Sequence, residues 1–384
     1  MDYMWSSMKT AINRRSFLTN GLVAAGAATA GAGLLANSTS ALADDDFDRS
    51  GHLTRGDAAM LRFAAAAEII ETDFWVQYNE LAGVQDSEEP DGTGNPAYHD
   101  AVSQLDSDMD QYIHDNTDDE FTHQNFLNAY LASKGAATIS LEQFRTLQGS
   151  TAKGSSGKLR ITNLMKLTLD TSWWTRYRSD SHNPDLDPNF TFPQAIPTLA
   201  TGQHTAIPRT DADTSDPNFL QAIANTAGFH FATIEQGGSS LYPAMAQRAT
   251  SVEVLRILIS IGPTETMHFQ TWQDKAGNAP QLSATDPMTG VPVTFPDLNS
   301  PPFPPGFGLE DFKTNLIMPE PCPFLSRKLP PCSIIRPTQT AGIAMGVVKF
   351  LTDMGLFIGQ SSDFFKVLHD LAQDADAARR GLQI

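Results

Sequence analysis

Apolar residues recur at helical spacing over several long stretches, and nowhere do apolar and polar positions alternate over a strand of any length. Leu61 to Leu81 carries Phe63, Ala64, Ala67, Ile70, Phe74 and Tyr78 at helical steps, with Thr54 and Asp57 upstream as capping candidates, and predicts one long helix. After the turn-rich run from Glu89 to Pro96, a second helical region spans Tyr98 to Leu131. It restarts near Asn116-Thr117 and ends before Gly135. Asp216-Pro217-Asn218 opens a third helix reaching to about Ala249, although Gly237-Gly238 and Pro243 interrupt its pattern. Ser251 caps a fourth, from Val252 to about Lys275, with a kink expected at Gly262-Pro263.

The intervals between these helices read differently. Residues 136 to 216 mix short apolar runs with Gly, Ser, Asp and Pro, which predicts a long crossover with small helical pieces and Trp173-Trp174 as a packing anchor. Fourteen of the 24 prolines fall between Pro280 and Pro337, which excludes helix or central strand there and leaves 276–337 to wrap the surface. A helical pattern returns over 338–384, where Lys349 and Asp353 interrupt what would otherwise resemble a membrane span. The class is all-α.

Composition narrows the function. With 41% hydrophobic and 18% charged residues the chain can bury a core, which excludes a disordered or disulfide-dense protein. Its 26 basic against 44 acidic residues give a formal charge of -18, which would repel phosphate backbones and argues against a nucleic-acid partner.

Residues 1–43 have the order of an export signal. Arg14-Arg15-Ser16-Phe17-Leu18 precedes an Ala/Gly-rich apolar stretch from Gly21 to Ala36, and Ala41-Leu42-Ala43 suits cleavage before Asp44. The Arg pair resembles the twin-arginine signal, which implies a periplasmic or extracytoplasmic protein exported already folded. The apolar run is shorter than the ~20 residues a span needs, so no integral membrane segment is expected after cleavage. In that compartment Cys322 and Cys332, ten residues apart in the Pro-rich segment, are expected to form a disulfide.

Two Glu-x-x-His motifs carry the chemistry, Glu120-Phe121-Thr122-His123 and Glu265-Thr266-Met267-His268. The i, i+3 spacing places both side chains on one helix face. Random placement of 12 Glu and 9 His in 384 residues would give about 0.3 such motifs, and these two are the only ones. The first helix supplies Glu68 and Glu71 in an apolar stripe, and the third supplies Glu235. His99, His114, His182, His204 and His230 have no comparable partners and read as surface or core residues, while Trp75, Tyr78 and Tyr242 read as core aromatics first, with radical or hydrogen-bonding neighbours of the site as the alternative.

The order Glu, Glu-x-x-His, Glu, Glu-x-x-His resembles the ligand set of the ferritin-like superfamily of di-iron and di-manganese carboxylate bundles. Ala67-Glu68-Ile69-Ile70-Glu71-Thr72-Asp73-Phe74-Trp75 and the stretch Asp119 to Leu127 are similar to the branch containing desiccation-related and fungal stress-response proteins. The resemblance implies a four-helix bundle within 44–275, with one long crossover. The Pro-rich insertion at 276–337 and an extra C-terminal helix within 338–384 are departures from a minimal bundle. It also implies six ligands, Glu68 (Glu71 being the alternative), Glu120, His123, Glu235, Glu265 and His268, with Glu120 and Glu265 bridging two ions. Four glutamates neutralise two divalent ions, and two imidazoles complete a shell suited to Fe or Mn. Zn would accept the same donors, but shared carboxylates with open positions favour a redox pair. The expected partners are a metal ion or a small oxidant, in ferroxidase, catalase or oxidase chemistry. A non-catalytic stress-protective protein with a stabilising metal site is the alternative, and a homo-oligomer fits either.

Overall fold

The computed structural model describes residues 53–89, 91–176, 191–300 and 341–380, Lys328, and the backbone of 319–320 and 332–333. The signal segment, His182 and the Cys322–Cys332 pairing lie outside the described residues. The described residues from Leu53 onward form one compact unit.

The long first helix, α1 (Arg55–Ala82), is capped by Thr54, whose hydroxyl accepts the Asp57 N–H at 3.0 Å. Asp57 is not itself the cap. Its carboxylate reaches across the bundle to the N–H groups of Thr250 (2.9 Å) and Ser251 (3.0 Å), at the start of the last bundle helix. Nearly all of α1 is buried, because it is covered on several sides, which explains why its apolar pattern is wider than one stripe.

The second helical region is two helices, α2 (Pro96–Val102) and α3 (Met109–Ser133). The restart expected near Asn116-Thr117 falls instead at Met109. The stretch Ser103 to Asp108, polar except for the buried Leu105, breaks the helix there, and the Asp106 carboxylate accepts the Asp108 N–H at 2.9 Å in place of a helical bond. Asn116 and Thr117 lie mid-helix, with Thr117 bonded back to the Ile113 carbonyl at 2.7 Å.

The crossover includes a two-residue ladder, β1 (Leu147–Gln148) with β2 (Leu159–Arg160), and a short helix, α4 (Ser172–Arg176). Trp173 and Trp174 on α4 are both buried, and the Trp173 indole donates to the Thr233 hydroxyl at 2.9 Å, which is the expected packing anchor. Asp73 of α1 ties the crossover down. It accepts the N–H groups of Ile161 (3.0 Å) and Thr162 (2.8 Å) and the Thr162 hydroxyl (2.6 Å), and it pairs with Arg145.

The third and fourth bundle helices are α5 (Pro217–Ala246) and α6 (Val252–Gly277), which stay helical through Pro243 and Pro263. Small residues set their spacing. A Cβ on Gly262 would lie 2.8 Å from the Tyr242 Cβ, and one on Gly238 would lie 2.4 Å from a Glu265 carboxylate oxygen. Among the described residues α1 packs most extensively on α3, and α5 on α6.

The Pro-rich segment begins with an antiparallel hairpin, β3 (Leu282–Thr285) and β4 (Pro292–Phe295), with Pro292 at the strand end where no ladder donor is required. β5 (Pro319–Glu320) and β6 (Cys332–Ser333) pair further on. In place of one C-terminal helix there are two, α7 (Ile343–Asp353) and α8 (Ser362–Ala377). Gly355 and Gly359, at φ 89° and 99°, turn the chain between them in a backbone region other residues avoid. α8 packs on α1, and the Asp376 carboxylate accepts the first N–H groups of α7, those of Ala344 (3.1 Å) and Met345 (3.0 Å). Among the described residues no helix is long and apolar enough to cross a membrane.

Candidate metal centre

Four helices deliver six ionisable side chains to one buried point. α1 brings Glu68, α3 brings Glu120 and His123, α5 brings Glu235, and α6 brings Glu265 and His268. They form two overlapping groups, Glu68, Glu120, His123 and Glu265, then Glu120, Glu235, Glu265 and His268, each with donor atoms within 4.8 Å of one another. Glu120 and Glu265 belong to both. His123 Nδ1 lies 3.0 Å from Glu120 and 3.3 Å from both Glu68 and Glu265, while His268 Nδ1 lies 3.3 Å from Glu120 and from Glu235. Glu71, also on α1, belongs to neither group and is half-buried.

The carboxylates are at most 1% exposed, yet Glu68 Oε2, Glu235 Oε2 and both Glu265 oxygens accept no hydrogen bond. Buried acceptors without donors are costly, so this donor set fits cations better than it fits protein partners. Burial raises Glu68 to about 7 despite the nearby His123, with Glu120 adding to the rise. Burial also holds Glu265 well above the usual carboxylate range, helped by Glu120 and Glu68, and raises Glu235 against the pull of His268. Glu120 goes the other way. Burial opposes its ionisation, but His123 and His268 outweigh that and hold it below the usual range. Burial would likewise keep both imidazoles neutral, but the surrounding carboxylates raise His123 and His268 above the usual value.

A surrounding layer, invisible as a motif, orients these groups. The Asn116 amide donates to Glu120 (2.8 Å) and Glu235 (3.1 Å), and its oxygen is fixed by the Trp272 indole at 2.6 Å. Trp75 donates to Glu235 at 3.2 Å, Tyr242 donates to Glu68, and Asp119 accepts from His268 Nε2 at 3.0 Å. Trp75 and Tyr242 thus do more than fill the core. Tyr78 does not reach the centre and bonds to buried His230 at 2.9 Å. Asn116 lies one helical turn before Glu120, which is the signal available in sequence, but nothing local separates it from other polar residues on α3.

Gly238 faces Glu265 so closely that Gly238→Ala should push the carboxylate aside. Because the far end of a flexible side chain gives way, stability is expected to change by under ~1 kcal/mol while the protein loses at least one ion. Elemental analysis beside thermal unfolding checks this, and unchanged metal content would refute it.

A family model described as a ferritin-like domain matches residues 56–278, more than half of the chain. No curated protein and no solved structure matches.

Proposed function

The chain belongs to the ferritin-like domain family, and from that premise we propose an exported protein with a dinuclear Fe or Mn centre that handles peroxide, dioxygen or ferrous iron in stress protection. The observation that carries this reading is the pair of buried ligand groups sharing Glu120 and Glu265. In it Glu68 and His123 would help hold one ion and Glu235 and His268 the other, with Glu120 and Glu265 available to both. When bound, such a metal pair supplies one-electron redox steps and open positions for a small oxidant.

The chain's own residues do the rest. Asn116 and Trp75 hold Glu120 and Glu235 in place, and Asp119 fixes the ring of His268. Tyr242 donates to Glu68 and orients its carboxylate toward the ion it would help hold. Trp75, Phe231 and Trp272 stack beside the centre and keep bulk water from that side. Of the six ligands only His123 and His268 reach 8–9% exposure, which suits approach by a small molecule and not by a bulky substrate. Export by the twin-arginine route, with cleavage after Ala43, belongs to the same proposal, as does kinship to the desiccation- and stress-related branch.

The test compares peroxide consumption and ferrous oxidation by the loaded protein with the rates of the same free metal. Both His123→Ala and His268→Ala are expected to abolish the excess rate, with metal content measured alongside. If the loaded protein shows no excess over free metal, the non-catalytic protective role becomes the better account.

A further inference from the structure

Tyr78 and His230 form a buried pair that the metal centre does not use. Both are fully buried, and the Tyr78 hydroxyl lies 2.9 Å from His230 Nδ1. Burial pushes the imidazole down to about 3 and holds the phenol well above its usual range, so both are uncharged at neutral pH. The phenol, the more acidic group, donates to Nδ1. That leaves the imidazole proton on Nε2, which has no hydrogen-bond partner among the described residues. A buried donor without an acceptor is costly, and two apolar side chains would avoid that cost. Phe74 meets His230 edge-on with ring centroids 5.4 Å apart, and Phe231 meets Tyr78 at 4.6 Å, which closes the pair off from water on those sides.

Aromatic contacts join this pair to the centre. The Trp75 indole donates to Glu235 Oε1 at 3.2 Å, and its ring lies 5.9 Å from that of Tyr78, one turn further along α1. Electron tunnelling falls off steeply with distance, so rings packed this closely exchange electrons readily. Removing an electron from a phenol makes it a strong acid, and the electron leaves easily only when a base takes the proton. Tyr242 donates instead to Glu68, a carboxylate whose lone pairs an ion would occupy. Tyr112 reaches the same ring cluster through Trp272, at 6.2 Å, but the Lys275 ammonium lies 5.2 Å from the centre of its ring and opposes positive charge there. Of these three tyrosines, Tyr78 alone has a neutral imidazole as its partner.

We propose that Tyr78 is a redox-active tyrosine, oxidised through Trp75 to a neutral phenoxyl radical while His230 holds its proton. The proposal rests on the reading of the bundle centre as a metal pair that meets peroxide. One electron passes from the Tyr78 ring by way of Trp75 to the peroxide-oxidised metal pair, which is reduced by one equivalent. The Tyr78 Oη–H bond breaks, and its proton forms an N–H bond at His230 Nδ1. Phenol and imidazole thus become phenoxyl and imidazolium, and return of one electron and the proton restores both. Burial keeps soluble reductants away from the pair, so an oxidising equivalent is held there and away from the ligands.

To test this, ferrous-loaded mature protein is mixed with hydrogen peroxide and freeze-quenched, with iron oxidation followed in the same samples and the radical read by electron paramagnetic resonance. Wild type is expected to give an organic radical signal that narrows on labelling with ring-deuterated tyrosine. Tyr78→Phe should lose that signal while keeping its iron content and its fold by circular dichroism. His230→Gln, which retains a hydrogen-bond acceptor but no base, should lower the radical yield at least ~tenfold. Iron oxidation without a tyrosine radical, or a radical of wild-type yield in either variant, overturns this inference alone and leaves the pair as core packing. If iron oxidation does not exceed that of free metal and no radical forms, the reading of the centre fails and this inference falls with it.

Discussion

Anaerobic loading of the mature protein with Mn2+ or Fe2+ is expected to place two ions per chain in the bundle, and Glu265→Gln is expected to leave at most one. The same substitution should leave the metal-free protein at least as stable as wild type. Both Glu265 oxygens lack hydrogen-bond donors, and burial with neighbouring Glu120 and Glu68 already disfavours its charge, so a neutral amide removes a liability. Metal reverses the order. An ion at 100 times its Kd adds ~2.7 kcal/mol, and the variant forgoes that for each ion it loses. The pH dependence follows from Glu68, whose folded pKa is raised from 4.5 to about 7 by burial, against His123 and with Glu120. A raised carboxyl binds more protons when folded, so its contribution to the metal-free protein is present below about 4.5 and lost as pH rises toward about 7. Its size is roughly 3 kcal/mol. Metal must displace that proton, so affinity should rise across the same window, and the Tm gap between loaded and metal-free protein should widen from about pH 5.5 to 7.5. A wild-type protein without metal after loading, or a Glu265→Gln variant retaining both ions, would sink this account.

Replacing Asp73 by Ala should be among the most damaging single changes to stability, roughly 3–5 kcal/mol, although no chemistry is ascribed to this residue. Its carboxylate is 2% exposed overall and serves the N–H groups of Ile161 and Thr162, the Thr162 hydroxyl and the Arg145 guanidinium. Removal leaves buried donors without acceptors at the point where the crossover is fastened to α1. Tm should fall by roughly 5–15 °C. Asp73→Asn, which retains one acceptor oxygen, should lose less. Equal losses for the two variants, or a loss under ~1 kcal/mol for Ala, would show that the crossover is held by packing alone.

The chain's own pattern was sufficient for the all-α class, for the helices that build the bundle, and for the two Glu-x-x-His motifs, because helical periodicity and i, i+3 spacing are local properties. Thr54, Ser251 and Asp216 acted as caps for the same reason, each bonding within three residues. Other features depended on neighbours distant in sequence. Glu68 and Glu71 occupy the same apolar stripe, and only the placement of α3 and α6 brought Glu68, not Glu71, within reach of His123. Gly237-Gly238 and Pro243 read as interruptions, yet α5 runs through them, with Gly238 accommodating a carboxylate from another helix. Asn116, Asp119 and Trp272 became part of the centre through bonds spanning 119 to 156 positions. Local propensity fixes which segments turn and how often a side chain returns to one face. Convergence of charges from four helices is a property of their packing, and for that reason only the tertiary structure decided it.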